Sequence, residues 1–183
     1  RGSYRLVADA LNDQAVAAVE QSKRRTENRP TLVLVPNLAA AAALVKGTEW
    51  PSTKRMAHTF WPGPLTLLLP PADKLSPALR KRFTKATGRV GVRVTDEPVI
   101  GQLVTAFAGP LLVSSANQSK KTGAASAAAI RQRFSNAVGL WVESGDLPAV
   151  PPSTLVEVTP DSWKVVRAGA VTSEQLQRVV ARS

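Results

Sequence analysis

Cysteine is absent from the 183-residue sequence, and histidine occurs only once, at His58. The lack of cysteine excludes a disulfide framework, a thiolate nucleophile and a thiolate metal site. A single histidine excludes any site that needs two imidazoles, and no nucleophile or orienting acid accompanies His58 to form a Ser-His-acid triad. We therefore assign no metal ligands and no covalent nucleophile.

Aromatic residues and long apolar runs are also scarce. Aromatic side chains make up 5% of the sequence, which gives little support to a stacking platform for single-stranded nucleic acid. No apolar run approaches the ~20 residues of a membrane span, and the start does not resemble a signal peptide. We therefore expect a cytoplasmic protein without a membrane partner. No glycine-rich run ends in Gly-Lys-Ser/Thr, which excludes a Walker-type phosphate loop.

Positive charge is in excess, because 24 Lys and Arg residues face 13 Asp and Glu residues, for a formal net charge of +11. Such a charge favours phosphate-rich partners such as nucleotides or RNA. A basic surface that only maintains solubility is an equally good interpretation at this point. The hydrophobic fraction of 44% and the length predict one domain with a single core, over residues 1–183.

Short β-branched runs alternate with segments of helical periodicity, and this alternation predicts an α/β fold. Asn37 is placed to cap the second helix, and Ser173 to cap the last. No strand is predicted before residue 13. Strands are predicted over 31–35, 65–69, 90–94, 111–114, 140–142, 154–158 and 163–167, and helices over 13–22, 38–45, 52–58, 76–83, 98–107, 126–134 and from 173 onward.

Two clusters of polar residues could bind a phosphorylated ligand. The run Lys23-Arg24-Arg25 offers a point charge and forked donors for a polyphosphate, although a helix C-terminus favours cations in any case. The run Ser114-Ser115-Ala116-Asn117 follows a buried strand, at the position where open α/β sheets bind ligands. A hydrogen-bonded turn cap would use the same residue types.

Three further features stand on or beside predicted strands. Arg93 lies within an apolar strand, so it either pairs with an acid such as Asp96 or faces an anionic cavity, since a buried unpaired charge is costly. Pro152-Ser153-Thr154 and Arg167-Ala168-Gly169 flank consecutive strands. The segment 60–64, Phe-Trp-Pro-Gly-Pro, is more typical of a packing corner than of a binding site.

Taken in order, these segments resemble the YrdC-type domain of the threonylcarbamoyl-adenylate synthase family. The resemblance extends over almost the whole chain and rests on six elements. They are Lys23-Arg24-Arg25 for K-x-R, residues 60–66 for W-P-G-P-(L/V)-T, residues 91–98 for V-R-V-P-x-x-P, residues 115–117 for S-x-N, residues 152–156 for P-S-T-(I/V)-V, and residues 166–169 for L-R-x-G.

The resemblance implies a single-domain α/β fold with a twisted open mixed sheet, flanking helices and a basic concave cavity. It implies an enzyme that condenses L-threonine, bicarbonate and ATP to threonylcarbamoyl-adenylate and pyrophosphate, with Mg²⁺ held mostly by ATP and water. Other proteins then transfer the threonylcarbamoyl group to adenosine 37 of tRNA. Phosphoryl-type transfers depend on positioning and electrostatics and need no covalent nucleophile.

The resemblance also implies residue roles. Lys23 and Arg25, joined by Ser153 and Arg167, would hold the ATP phosphates. Ser115 and Asn117 would bind the nucleotide and the carboxylated threonine. Arg93 would face the threonine carboxylate or the α-phosphate, and Tyr4 matches the tyrosine of a further nucleotide-binding motif.

That motif, P-T-D/E-T-x-Y-G-L after an opening strand, is poorly matched here. Gly2 stands in place of a threonine and Arg5 in place of the glycine after the tyrosine. We expect the opening strand to be absent, the sheet edge to be exposed, and Arg5 to be awkward if glycine's backbone freedom is needed.

Two other functions fit the same sequence. One is a non-catalytic module that binds double-stranded RNA or tRNA through its positive charge. The other is a carbamoyl-adenylate-handling domain, such as those of hydrogenase maturation proteins, which usually belong to longer chains with metal or acylphosphatase domains.

Overall fold

Strands and helices alternate along the chain in the computed structural model, which describes residues 3–22, 31–84, 87–116 and 126–181. This confirms the predicted α/β class. In chain order the elements are β1 (Arg5–Asp9), α1 (Asp13–Ser22), β2 (Leu32–Leu34), α2 (Leu38–Ala41), α3 (Pro51–Phe60), β3 (Leu65–Leu69), α4 (Pro77–Thr84), β4 (Val90–Arg93), α5 (Pro98–Phe107), β5 (Leu111–Ser115), α6 (Ala127–Phe134), β6 (Thr154–Val158), β7 (Trp163–Arg167) and α7 (Ser173–Val180).

The strands form one open sheet in the order β1-β5-β2-β4-β3-β6-β7. The β2–β4 and β3–β6 pairs are parallel, and the other four pairs are antiparallel. The predicted mixed, open sheet is therefore confirmed, with β1 and β7 at its edges.

The two faces of the sheet are packed differently, because successive side chains of a strand point to opposite faces. One face carries the larger hydrophobic core, which includes Val33, Val92 and Leu67 together with buried residues of every helix except α5. The opposite face carries a smaller cluster in which Val104 of α5 packs with Leu34 of β2 and with β5. The first face supplies most of the apolar burial that stabilises the fold.

Most predicted elements agree with the structure to within two residues, but four expectations are wrong. No strand was predicted at β1. The segment 140–142 is irregular, and its apolar ends are exposed, with Leu140 at 77% and Val142 at 52%. Thr172, not Ser173, caps α7 by accepting from the Gln175 amide. The helix predicted over 38–45 is regular only over α2, although Asn37 caps it as expected by accepting from the Ala40 amide.

The strand β1 follows Tyr4 directly, so it is not the strand that precedes the motif in the resembled family. Whether that preceding strand is absent therefore stays a prediction. Arg5 does not need the backbone freedom of glycine, because it occupies a regular strand position opposite Ser115. Among the described residues other than glycine, Ala108 has a positive φ, at 53°.

Candidate ligand-binding face of the sheet

The sheet register places the polar side chains of five strands on the face that also carries α5. Residues paired across two strands point to the same face, and so do residues two apart on one strand. Arg5 pairs with Ser115, and Val113, two residues before it, pairs with Leu32. Two residues beyond Leu32, Leu34 pairs with Arg93. Arg5, Ser115 and Arg93 therefore share one face.

The same face continues across the other half of the sheet. Leu68 pairs with Gly91, which is two residues before Arg93, so Thr66 also belongs to this face. Thr66 pairs with Leu155, and Leu155 pairs with Arg167 at the end of β7. We call this surface the polar face; its polar side chains include Arg5, Ser115, Arg93, Thr66, Ser153 and Arg167, and the same register places the acids Asp9 and Glu157 on it.

Ser153, Thr66 and Arg167 form a hydrogen-bonded group on the polar face. The Thr66 and Ser153 hydroxyl oxygens lie 3.0 Å apart. The Arg167 guanidinium donates to the Ser153 carbonyl at 2.7 Å and to its hydroxyl oxygen at 3.3 Å. Thr66 is buried whereas Arg167 is exposed, so a neutral hydroxyl pair lies at the base and a cation at the rim. Such a set can orient and neutralise a phosphate.

The chain entering β6 is fixed by a close approach of Gly169. A Cβ atom on Gly169 would lie 2.4 Å from the Pro152 carbonyl oxygen and 2.6 Å from the Thr154 nitrogen. The Ala170 amide donates to Pro152, and the Thr154 hydroxyl donates to the Val171 carbonyl at 2.7 Å. Glycine is therefore required here to hold Ser153 beside Thr66.

Arg93 is buried on the polar face, at 3% exposure. Its Nε donates to the Gly63 carbonyl at 2.6 Å, and its Nη2 lies 3.1 Å from an Asp96 carboxylate oxygen and 3.7 Å from one of Glu97. Burial lowers the pKa of the guanidinium, and the two carboxylates oppose that effect. The first alternative for Arg93, pairing with an acid such as Asp96, is confirmed.

The segment that binds Arg93 is a packing corner, as expected. Phe60 and Trp61 pack against the core, and the Trp61 indole donates to the Leu65 carbonyl at 2.7 Å. A Cβ on Gly63 would lie 2.2 Å from the Phe60 carbonyl oxygen, so glycine is needed at this turn.

Arg5 and Glu97 belong to the site but were not identified from the sequence. The Arg5 guanidinium lies 2.9 Å from the Glu97 carboxylate, and both side chains are largely buried, at 15% and 16% exposure. Burial alone would raise the pKa of Glu97, but nearby positive charge, that of Arg5 first, outweighs it and keeps the pKa below its ordinary value. The sequence did hold one indication, because Arg5 stands where the resembled motif has glycine.

Ser114 and Ser115 have different surroundings although they are adjacent. Ser115 is half-buried on the polar face. Ser114 pairs with Leu6 on the core side and is 4% exposed, and its hydroxyl has no hydrogen-bond partner in the part of the chain that the structure describes. The two hydroxyls, which are adjacent in the sequence, therefore lie on opposite faces of the sheet.

Tyr4 lies on the core side, not on the polar face. Its ring stacks on Trp141 with centroids 5.3 Å apart. Its hydroxyl donates to the Gly145 carbonyl at 2.8 Å and accepts from the Ser144 amide at 3.0 Å. The Tyr4 side chain thereby holds the backbone of residues 144 and 145, which follow the irregular segment 140–142. The nucleotide-binding role of Tyr4 stays a prediction.

Lys23, Arg25 and Asn117 fall outside the described residues. The described ends that adjoin these segments are neighbours in the sheet, because Leu32 at the start of β2 pairs with Val113 near the end of β5. Their roles in binding stay predictions.

A cavity of about 830 Å³ follows the open edge of β1. Its lining is mainly apolar, with Val99 and Leu103 of α5 among its members, and Arg5 and Glu97 contribute charge. Ser153 and Arg167 do not line it, so the polar face extends well beyond this cavity. Within the described ranges, no cluster of His, Asp and Glu has the size of a metal site, and no helix is long and apolar enough to cross a membrane.

A model of the Sua5, YciO and YrdC proteins, described as "Telomere recombination", matches residues 1–169. The chain belongs to this family. A threonylcarbamoyl-AMP synthase of Bacillus subtilis (strain 168) is 29% identical over 97% of the chain, which covers 50% of that relative. A putative threonylcarbamoyl-AMP synthase of Mycobacterium tuberculosis (strain ATCC 25618 / H37Rv) is 30% identical over 97% of the chain, which covers 79% of it.

The fold agrees with a solved member of the family. The crystal structure of P. abyssi Sua5 complexed with L-threonine superposes with a TM-score of 0.81 at 27% identity, over 98% of this chain and 51% of that one. The chain thus spans about half the length of the B. subtilis and P. abyssi relatives. The resemblance seen in the motifs is confirmed.

Proposed function

We propose that this chain synthesises threonylcarbamoyl-adenylate from L-threonine, bicarbonate and ATP, with release of pyrophosphate. The observation that carries the proposal is the polar face, on which hydroxyls and guanidinium groups from five strands point to the same side of the sheet. Support also comes from the names of the relatives, which match nearly the whole chain, and from the L-threonine bound in P. abyssi Sua5.

The chemistry requires anion binding more than acid–base catalysis. The threonine amine and bicarbonate give N-carboxythreonine and water. A carbamate oxygen then forms a bond to the α-phosphorus, the bond from that phosphorus to the bridging oxygen breaks, and pyrophosphate leaves. Negative charge accumulates at the phosphorus, so positioned donors and cations are the groups that accelerate the step.

The proposed roles of the described side chains use their positions on the polar face, and those of Lys23, Arg25 and Asn117 come from the resemblance in their motifs. Ser153 and Arg167, with Lys23 and Arg25, hold the phosphates, and Thr66 keeps the Ser153 hydroxyl in place.

The acyl side of the reaction is assigned to other residues of the same face. Ser115 and Asn117 orient the nucleotide and the carboxylated threonine, and Arg93 provides positive charge beneath the reacting groups. Because the described residues offer no acidic cluster, a Mg²⁺ ion would arrive with ATP and be held by its phosphates and water. The product would serve the modification of tRNA adenosine 37 by downstream proteins.

The test is pyrophosphate release from ATP with Mg²⁺, measured with and without L-threonine and with and without bicarbonate. Release that needs both co-substrates supports the synthase. Arg167→Met should raise the KM for ATP roughly tenfold or more, as expected for loss of a charge-assisted bond. Arg178→Met is the matched control, because it removes the same charge from exposed α7 and should leave KM unchanged. No release by the folded wild type would refute the proposal, and ATP-independent, salt-sensitive RNA binding would then favour the RNA-binding module.

A further inference from the structure

A row of four charged side chains joins Arg5 and Arg93 of the polar face to Asp96 and Glu97. Arg93 contacts Asp96 at 3.1 Å and Glu97 at 3.7 Å, and Arg5 contacts the same Glu97 oxygen at 2.9 Å. Arg93 is 4% exposed, and the other three side chains are between 15% and 17% exposed. The row is therefore largely shielded from water. In such surroundings charges act over longer distances than they do on the surface.

The charges of the row decide what the polar face can bind. Arg93 contacts two carboxylates, so without Arg5 the row would hold more negative than positive side chains and would disfavour a phosphate or a carboxylate nearby. With Arg5 present, the row carries two positive and two negative charges. Arg5 is also the direct strand partner of Ser115, so its charge lies next to the hydroxyl proposed to orient the ligand.

We propose that Arg5 is a positioning residue that sets the anion affinity of the polar face by neutralising Glu97. The inference rests on the proposed function only in taking this face as the place where an anionic substrate binds. Arg5 acts through Glu97 on the field around Arg93 and Ser115. This assigns a role to the arginine that stands where the resembled motif has glycine.

The inference predicts effects of opposite sign for two residues that contact each other. Arg5→Met removes the cation that lies 2.9 Å from Glu97, and pyrophosphate affinity should fall roughly five- to twentyfold at low salt. Glu97→Gln leaves the row positive, and affinity should rise by a similar factor. The double variant should return to within about threefold of the wild type, because the two changes cancel in charge.

Pyrophosphate binding by the full chain, measured by calorimetry at two salt concentrations, tests this ordering. Arg82→Met and Glu20→Gln are matched controls, because each removes one charge from an ion pair between α4 and α1, away from the polar face. Each control should shift affinity less than twofold. Thermal unfolding of every variant shows whether it is folded, and Glu97→Gln tests the same inference if Arg5→Met is not.

A purely structural role gives a different pattern. If Arg5 and Glu97 only hold the fold together, both variants lose affinity in step with lost stability, and the inference is overturned. It is also overturned if the wild type binds no pyrophosphate. Intact pyrophosphate binding in the expected order, without threonine- and bicarbonate-dependent release, would count against the proposed function alone.

Discussion

Replacing Gly169 with alanine should disturb the candidate site and the fold together. The added Cβ would meet the Pro152 carbonyl oxygen at 2.4 Å, the Ser153 carbonyl carbon at 2.6 Å and the Thr154 nitrogen at 2.6 Å. All three are backbone atoms, so none can rotate away as a side chain could. The segment must move, and it carries both the amide that donates to the Pro64 carbonyl at 2.9 Å and the Ser153 hydroxyl.

The expected cost can be estimated from similar overpacking. Inserting one carbon into a close-packed site costs about 1–3 kcal/mol, and strained backbone hydrogen bonds add about 1 kcal/mol each. We expect Gly169→Ala to lower the free energy of unfolding by about 2–4 kcal/mol. For a chain of this size that corresponds to a fall in Tm of roughly 4–16 °C. Displacement of Ser153 should also reduce kcat/KM for ATP by about 10–100-fold.

Chemical denaturation and the pyrophosphate assay measure the two effects. Gly139→Ala is the matched control, because a Cβ there meets nothing within 4 Å. The control should be neutral or stabilising by up to about 1 kcal/mol, through the lower entropy of its unfolded chain. Equal denaturation midpoints for the two variants would refute the argument that the close approach at Gly169 is rigid.

Three other substitutions follow from the two faces of the sheet and from its buried charges. Ser114→Ala should leave activity intact and the free energy of unfolding equal or higher, because the buried Ser114 hydroxyl lacks a partner among the described residues. Ser115→Ala should instead lower the rate of pyrophosphate release. The reverse result would mean that the register places the wrong hydroxyl in the site. Glu97 has a lowered pKa in the folded chain, so its stabilising contribution is present above the unfolded pKa of about 4.3 and is lost as pH falls through the folded value. Arg5→Met should flatten this acid limb of the denaturation free energy as the pH falls below the unfolded pKa of about 4.3, and an unchanged slope would contradict the pairing.

The sequence pattern was sufficient to predict strands with a clear apolar or alternating pattern. The strands β3, β6 and β7 were predicted with their observed bounds, because each is a run of apolar or alternating residues between turn signals. The strand β1 was missed, since its sequence Arg-Leu-Val-Ala-Asp has charges at both ends and only Leu6 fully buried. Leu140 to Val142 was taken for a strand on composition, but only a partner strand could have made it one.

The candidate site was predictable in its members more than in its arrangement. Ser115, Ser153, Arg93 and Arg167 were named from the sequence, yet their common face depends on pairings between strands far apart in the chain. Glu97 could not be found in this way, because its importance comes from contacts with a strand 92 residues earlier. Local patterns carry no information about such contacts.

The opposite orientations of Ser114 and Ser115 bear on which changes of length the chain can tolerate. A substitution in β5 alters one side chain, but an insertion or deletion of one residue there would turn the core-facing hydroxyl toward the polar face and bury the other. It would do the same to Leu112 and Val113, which are both buried on opposite faces. Close homologues should therefore vary in the length of the loops that join the strands, while the number of residues between Leu111 and Ser115 stays fixed.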